Sequence, residues 1–410
     1  MDATGDDMRS NSQKSAVKNL KGNTSHPLFF WQALPDSAHS RLGGVLLAGM
    51  AAVCGAALCA PAPAAASDAS YWLAQRGGAP DATTFNMRGI SSYKQGDFPA
   101  AIENFTRALE LNPNQAEVYV NRGVARRQAG DLAGAIADYT KAIQIQPENA
   151  GAHYSRGNVR AVQGDYQEAI ADFTRALELN PELGEAYYGR GVCRRKLGDN
   201  PGAFADYTQA IAIMPNNALA YHNRGVVRAV QGDHKGALTD YTQAIQIDPK
   251  DAGAYLNRGR SRFALGDKRG AIEDYEAALQ KNGNSSQAWF FRGSALVDLR
   301  KYPEAIASYD RALQVNADWG NVSPADARTN RALARLKQGD NQGAIQDYSQ
   351  ALQLNPGDAG AYYYRGVARA SLGDKKAALE DLRQAGELYQ KQGNAGEYQK
   401  VMQAIKTLQE

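Results

Sequence analysis

Histidine, cysteine and tryptophan are scarce: the 410 residues hold five His, three Cys and four Trp. The histidines (His26, His39, His153, His222, His234) fall in no metal-ligand spacing. Two cysteines, Cys54 and Cys59, lie in an apolar stretch near the front, and Cys193 stands alone. If that front segment is removed, neither an internal disulfide nor a cysteine metal site can form. Charge of one sign is also lacking. Lys and Arg number 46 against 43 Asp and Glu, a formal net charge of +3, and no basic stripe stands out, which argues against a nucleic-acid partner. There is no glycine-rich phosphate loop, and the carboxylates mostly recur with the repeat described below. No catalytic residue, metal or cofactor is expected, and an enzyme is the poor reading.

One long apolar run is present, residues 42–60, LGGVLLAGMAAVCGAALCA, preceded by Arg41. Residues 1–41 are polar and show no repeat, a composition that buries too little to fold. A basic flank, an apolar segment and small residues before a polar start describe a signal peptide over 42–66, with cleavage after Ala66. The same run is about long enough to span a bilayer uncleaved, in which case 42–60 is the membrane contact. Val53 and Leu58, both large, precede the two cysteines and speak against a lipoprotein. Cations before the run put the remainder outside the cytoplasm in either case: exported, periplasmic or lumenal, or membrane-anchored. Residues 67–81, with Gly77, Gly78 and Pro80, read as a linker.

What fills the rest is a repeat. Gly89, Gly123, Gly157, Gly191, Gly225, Gly259 and Gly293 fall 34 residues apart; Ala332 takes the glycine's place after a five-residue insertion, and Gly366 follows 34 later. A fixed period of this size means a stacked array. The nine units are 82–115, 116–149, 150–183, 184–217, 218–251, 252–285, 286–319, 325–358 and 359–392. Each reads as two helices. The first ends at a Gly-Asp step such as Gly130-Asp131, where Gly relaxes the backbone and Asp caps the next helix. Asp165 with Glu168 approximates a capping box. The second helix carries Ala135, Ile136, Tyr139, Ala142 and Ile143 on one face, and Pro147 closes the unit. Residues 393–410 form a last amphipathic helix that caps the array.

Tyr119, Gly123, Ala135, Tyr139, Ala142 and Pro147 give this unit its resemblance to the tetratricopeptide repeat family. The resemblance spans 82–392 and implies an all-α, right-handed solenoid of nine helix pairs. There are departures: the seventh copy lacks the Gly-Asp step and the closing Pro, and the eighth has Arg328 where the family has an aromatic residue. The stack is therefore expected to be irregular near 299–330.

The resemblance further implies a concave groove lined by positions two, five, nine, 12 and 13 of each first helix, which vary strongly among the nine copies. Tyr154, Tyr188 and His222 occupy position five in three successive copies, and Arg127 and Arg195 stand at position 12. Aromatic residues mixed with arginines suit an interface. These five are the candidate partner-binding residues, for an extended peptide or helix with apolar and some acidic character; the competing reading makes them ordinary inter-repeat contacts. Lys never fills position five, so a clamp for chaperone C-terminal tails is not supported. The function implied is a non-catalytic interaction scaffold outside the cytoplasm. The alternative is an assembly factor or chaperone for envelope or photosynthetic membrane complexes.

Finally, position 11 is Arg126, Arg160, Arg194, Arg228, Arg262, Arg335 and Arg369, and position 23 of the same copies is Asp138, Asp172, Asp206, Asp240, Asp274, Asp347 and Asp381. Copies one and seven lack both (Ser92 with Asn104, Leu296 with Ser308). Joint loss predicts contact, hence an Arg–Asp pair joining the two helices of seven repeats.

Overall fold

The structure, a computed structural model, describes residues 80–410. The readings made on residues 1–79 lie outside the described residues. Among the described residues every regular element is helical, and the helices fall into two compact units, 80–248 and 249–410.

The first unit holds five helix pairs: α1 (Ala82–Lys94) with α2 (Phe98–Leu111), α3 (Ala116–Gln128) with α4 (Leu132–Ile145), α5 (Ala150–Gln163) with α6 (Tyr166–Leu179), α7 (Gly184–Lys196) with α8 (Asn200–Ile213), and α9 (Ala218–Val230) with α10 (His234–Ile247). The second holds four pairs and a last helix: α11 (Ala252–Ala264) with α12 (Lys268–Lys281), α13 (Ser286–Asp298) with α14 (Tyr302–Val315), α15 (Pro324–Gln338) with α16 (Asn341–Leu354), α17 (Ala359–Ser371) with α18 (Lys375–Lys391), then α19 (Ala395–Gln409). Within each unit a first helix packs on its own second helix, and that second helix packs on the next first helix. Each pair thus buries its apolar faces on its neighbours, the one-dimensional core of a stacked array.

Close helix approach explains the recurring glycine. A Cβ on Gly123 would lie 2.7 Å from the Tyr139 ring, which is fully buried beneath it. The turn between the helices needs a second glycine for a different reason: Gly130 sits at φ +86, the left-handed region that costs an L side chain strain. The aspartate that follows then caps the second helix, as Asp131 does by accepting the Gly134 N–H at 2.8 Å. The capping box expected at Asp165 and Glu168 does not form; the Asp165 side chain accepts no cap bond. The reciprocal box works best with a hydroxyl at the cap, and two carboxylates three residues apart repel. A true box appears at Ser323 and Asp326, opening α15.

Irregularity concentrates where the sequence departs from its own period. Arg300, Asn316 and Asp318 are the non-glycine residues with positive φ among the described residues, and they flank the two ends of α14. Arg300 holds the place that Gly130 and its counterparts hold elsewhere. After α14 the chain folds back, so that the Ser286 and Gln287 N–H groups donate to Ala317 O and Asp318 O at 2.9 and 3.1 Å. At the other end of this unit, Val401, Ala404 and Ile405 of α19 are buried against Leu382 and Ala385 of α18, so α19 covers the last apolar face.

Candidate functional site: one helical wall and the ion pairs behind it

The first helices α1, α3, α5, α7 and α9 also touch one another in succession, which makes them one wall of the first unit. The five candidate residues lie on this wall, at unequal depth. Tyr154 is buried, with its ring 6.0 Å from that of Phe173. Tyr188 and His222 are half-buried and pack in the same way on Tyr207 (5.9 Å) and Tyr241 (5.8 Å, edge-on). Each position-five ring therefore covers the core aromatic of its own repeat. Tyr188 also accepts a hydrogen bond from Asn223 Nδ2 of the next repeat at 3.0 Å. Arg127 is buried, whereas Arg195 is half-buried beside the Tyr207 hydroxyl. Burial pushes the Tyr207 phenol well above its ordinary value, and the neighbouring Arg195 charge and hydrogen bond only partly oppose this, so Tyr207 stays neutral and serves packing. Accessible surface on this wall comes from Tyr188, Arg195 and His222 more than from Tyr154 and Arg127.

Behind the wall, the expected Arg–Asp pair forms in all seven repeats: Arg126–Asp138 at 2.9 Å, Arg160–Asp172 at 2.7, Arg194–Asp206 at 2.8, Arg228–Asp240 at 3.0, Arg262–Asp274 at 3.3, Arg335–Asp347 at 2.9 and Arg369–Asp381 at 2.8. Sequence reasoning missed the second arginine on the same carboxylate. In the seven repeats that carry the aspartate, the Arg at position seven grips it with two nitrogens: Arg122 donates from Nε to Asp138 Oδ2 at 3.0 Å and from Nη2 to Oδ1 at 2.7 Å. Its third nitrogen reaches back one repeat, to Thr106 Oγ1 at 3.0 Å. Arg156 and Arg190 repeat this with Thr140 and Thr174. The aspartates are almost fully buried, and each is satisfied by charge-assisted bonds from two guanidinium groups.

This arginine was legible as the one residue type that fills position seven in all nine copies, including the two without the aspartate. In the seventh copy Arg292 turns to Ser308 Oγ at 2.6 Å and to Glu276 at 2.8 Å. His153, in the aromatic position of the third copy, is buried; its Nε2 lies 3.1 Å from Pro147 O and its Nδ1 lies 3.9 Å from Asp172. It packs rather than lines a surface. Among the described residues no group of three or more His, Cys, Asp or Glu could hold a metal ion. No helix among them is long and apolar enough to cross a membrane.

A stack of helix pairs with a continuous first-helix wall defines a class of protein, the helical repeat arrays that present an extended surface to other proteins. Two family models agree. One described as a tetratricopeptide repeat matches residues 86–150, 154–218 and 256–321, and one described as a TPR repeat matches 228–266 and 332–373. The chain belongs to the tetratricopeptide repeat family, whose members are in general non-catalytic interaction scaffolds. Similar solved structures include YrrB, titled a TPR protein with an unusual peptide-binding site (29% identity, 46% of this chain and 97% of that one, TM-score 0.42). MamA is 27% identical over 40% of this chain and 96% of its own, with TM-score 0.38. A tetratricopeptide repeat protein from Parabacteroides merdae is 20% identical over 62% and 98%, with TM-score 0.44. No curated protein matches.

Proposed function

We propose that this protein is a non-catalytic scaffold that holds a segment of a partner protein on the wall formed by α3, α5, α7 and α9. The observation that carries the reading is the half-buried set Tyr188, Arg195 and His222, placed in adjacent repeats on first helices that touch in succession. Rings fixed by packing beneath them lose little entropy on binding, and a guanidinium supplies directed hydrogen bonds to carboxylates or carbonyls. The partner segment is extended or helical, apolar, and acidic in part. YrrB, with its titled peptide-binding site, lends the reading support at the level of the family.

The test is capture from an envelope extract with the full chain as bait. Tyr188→Ala combined with His222→Ala is expected to abolish capture while circular dichroism stays unchanged; undiminished capture by this variant would overturn the assignment. The setting we propose is outside the cytoplasm, on the strength of Arg41 and the apolar residues 42–60. A reporter active only in the cytoplasm, fused after Glu410, is expected to be silent, and full activity would refute the export reading.

A further inference from the structure

Position four of the repeat carries a ring in eight of the nine copies and Arg328 in the eighth. The ring has a fixed socket. Tyr119 packs against the buried cluster that holds Leu109 of the preceding repeat and against that of Ala116, Ala142 and Ala152, which Ile143 and Ile145 of its own second helix also border. A guanidinium closes the socket from the side: Arg122 stands 5.5 Å from the Tyr119 centroid, Arg190 5.5 Å from Tyr187 and Arg365 5.3 Å from Tyr362.

In the eighth copy the socket exists without its ring. A cleft of about 530 Å³ opens there, with Leu313 in the place of Leu109 and Leu354 in the place of Ile145. Asn316, Ser323, Pro324, Ala325, Arg328 and Asn355 complete its lining. Leu354 is 58% exposed. Arg328 does not fill the space as a ring would: its Nε donates to Gln350 Oε1 at 3.1 Å and its Nη1 to Pro324 O at 3.3 Å. Both acceptors are neutral, and among the described residues no carboxylate is bonded to Arg328. Arg331, which would stack on a ring in this copy, is held by Asp310 and Asp347.

We propose that this cleft is a second partner site, separate from the wall of the first unit, and that it accepts an aromatic side chain carried next to a carboxylate on another protein. The ring enters between Leu313 and Leu354. The carboxylate meets Arg328, whose present neutral partners are weaker than a charged one. The cleft, about 530 Å³ and open to solvent, has room for a ring, and the charge selects an acidic partner over a basic one.

The probe is a dye-labelled hexapeptide with an Asp-Phe pair between Gly and Ser residues, titrated with the full chain and read by fluorescence anisotropy. Saturable binding is expected, weakened about tenfold or more, the equivalent of one such contact, when Ala replaces either the Asp or the Phe of the probe. Arg328→Tyr restores the ring found in other repeats. It is expected to fold at least as well as the parent and to lose the probe. Arg328→Gln is expected to bind the Asp and Ala versions of the probe alike. The Tyr188→Ala, His222→Ala variant is expected to bind as the parent does, which separates this site from the wall. Absence of saturable binding, equal binding by Arg328→Tyr, or loss of binding in the Tyr188, His222 variant would each overturn the proposal. Self-association of the parent that Arg328→Tyr abolishes would assign the cleft to a second copy of the chain instead.

Discussion

Removing the Asp206 carboxylate measures how much the buried ion pairs hold the helix pairs together. Asp206 is 2% exposed and accepts from Arg190 Nε and Nη2 and from Arg194 Nη1, at 3.0, 2.8 and 2.8 Å. Arg190 also holds Thr174 of the preceding repeat at 3.1 Å, so one carboxylate ties two helices of its own repeat and orients a link to the next. Asp206→Ala leaves two guanidinium groups facing each other with no counter-charge. Breaking a buried pair from one side costs about 3–5 kcal/mol. The two arginine side chains are 13% and 26% exposed and recover some hydration, which places the expectation at the lower end, about 3 kcal/mol. The seventh copy suggests a compensated form, since Leu296 and Ser308 replace the pair there and Arg292 turns to the serine. Asp206→Ser with Arg194→Leu is therefore expected to regain more than half of the loss. Stacked arrays open locally, so the assay is hydrogen exchange of the α7 and α8 amides alongside urea unfolding of the full chain. A loss below about 1 kcal/mol for Asp206→Ala, the range of exposed pairs, would refute the argument that burial makes this network costly to break.

Further expectations follow from the same geometry. Gly123→Val places a side chain 2.7 Å from the Tyr139 ring and is expected to cost about 1–3 kcal/mol or more in urea unfolding, through overpacking. Arg300→Gly relieves a φ of +59 and is expected to stabilise by about 1 kcal/mol, seen as a higher melting temperature. Tyr154→Ala is expected to destabilise by about 3–5 kcal/mol because the ring is buried on Phe173, so loss of partner capture by that variant would report unfolding as much as contact. Burial pushes the Cys193 thiol up to about 12 from 9.0. In a Cys54→Ser, Cys59→Ser background it is expected to resist alkylation at neutral pH until the protein is unfolded. The sign of its pH dependence is fixed: the folded state keeps the proton, so this stability is full below about pH 9 and is lost as pH rises from there to about 12. Urea midpoints of Cys193→Ala and its parent, compared across that range, should converge if this is right.

The sequence by itself determined the repeat, the two helices of each copy and the seven Arg–Asp pairs. Each of these depends on contacts at fixed short separation, and nine copies of one chain act as their own comparison. Joint absence in two copies was enough to pair Arg194 with Asp206, twelve residues apart. Invariance hid the partner arginine Arg190, because a residue present in every copy cannot covary with anything. Tertiary structure alone decided depth. Tyr154 and Tyr188 share a repeat position, yet one is buried and the other half-buried, because exposure depends on which side chains the neighbouring repeats lay over each ring. The cleft at Arg328 was likewise visible in the sequence only as a missing ring. That Leu313 and Leu354 line an open cleft there, beside a chain that folds back on α13 after α14, is a packing outcome that no periodicity encodes.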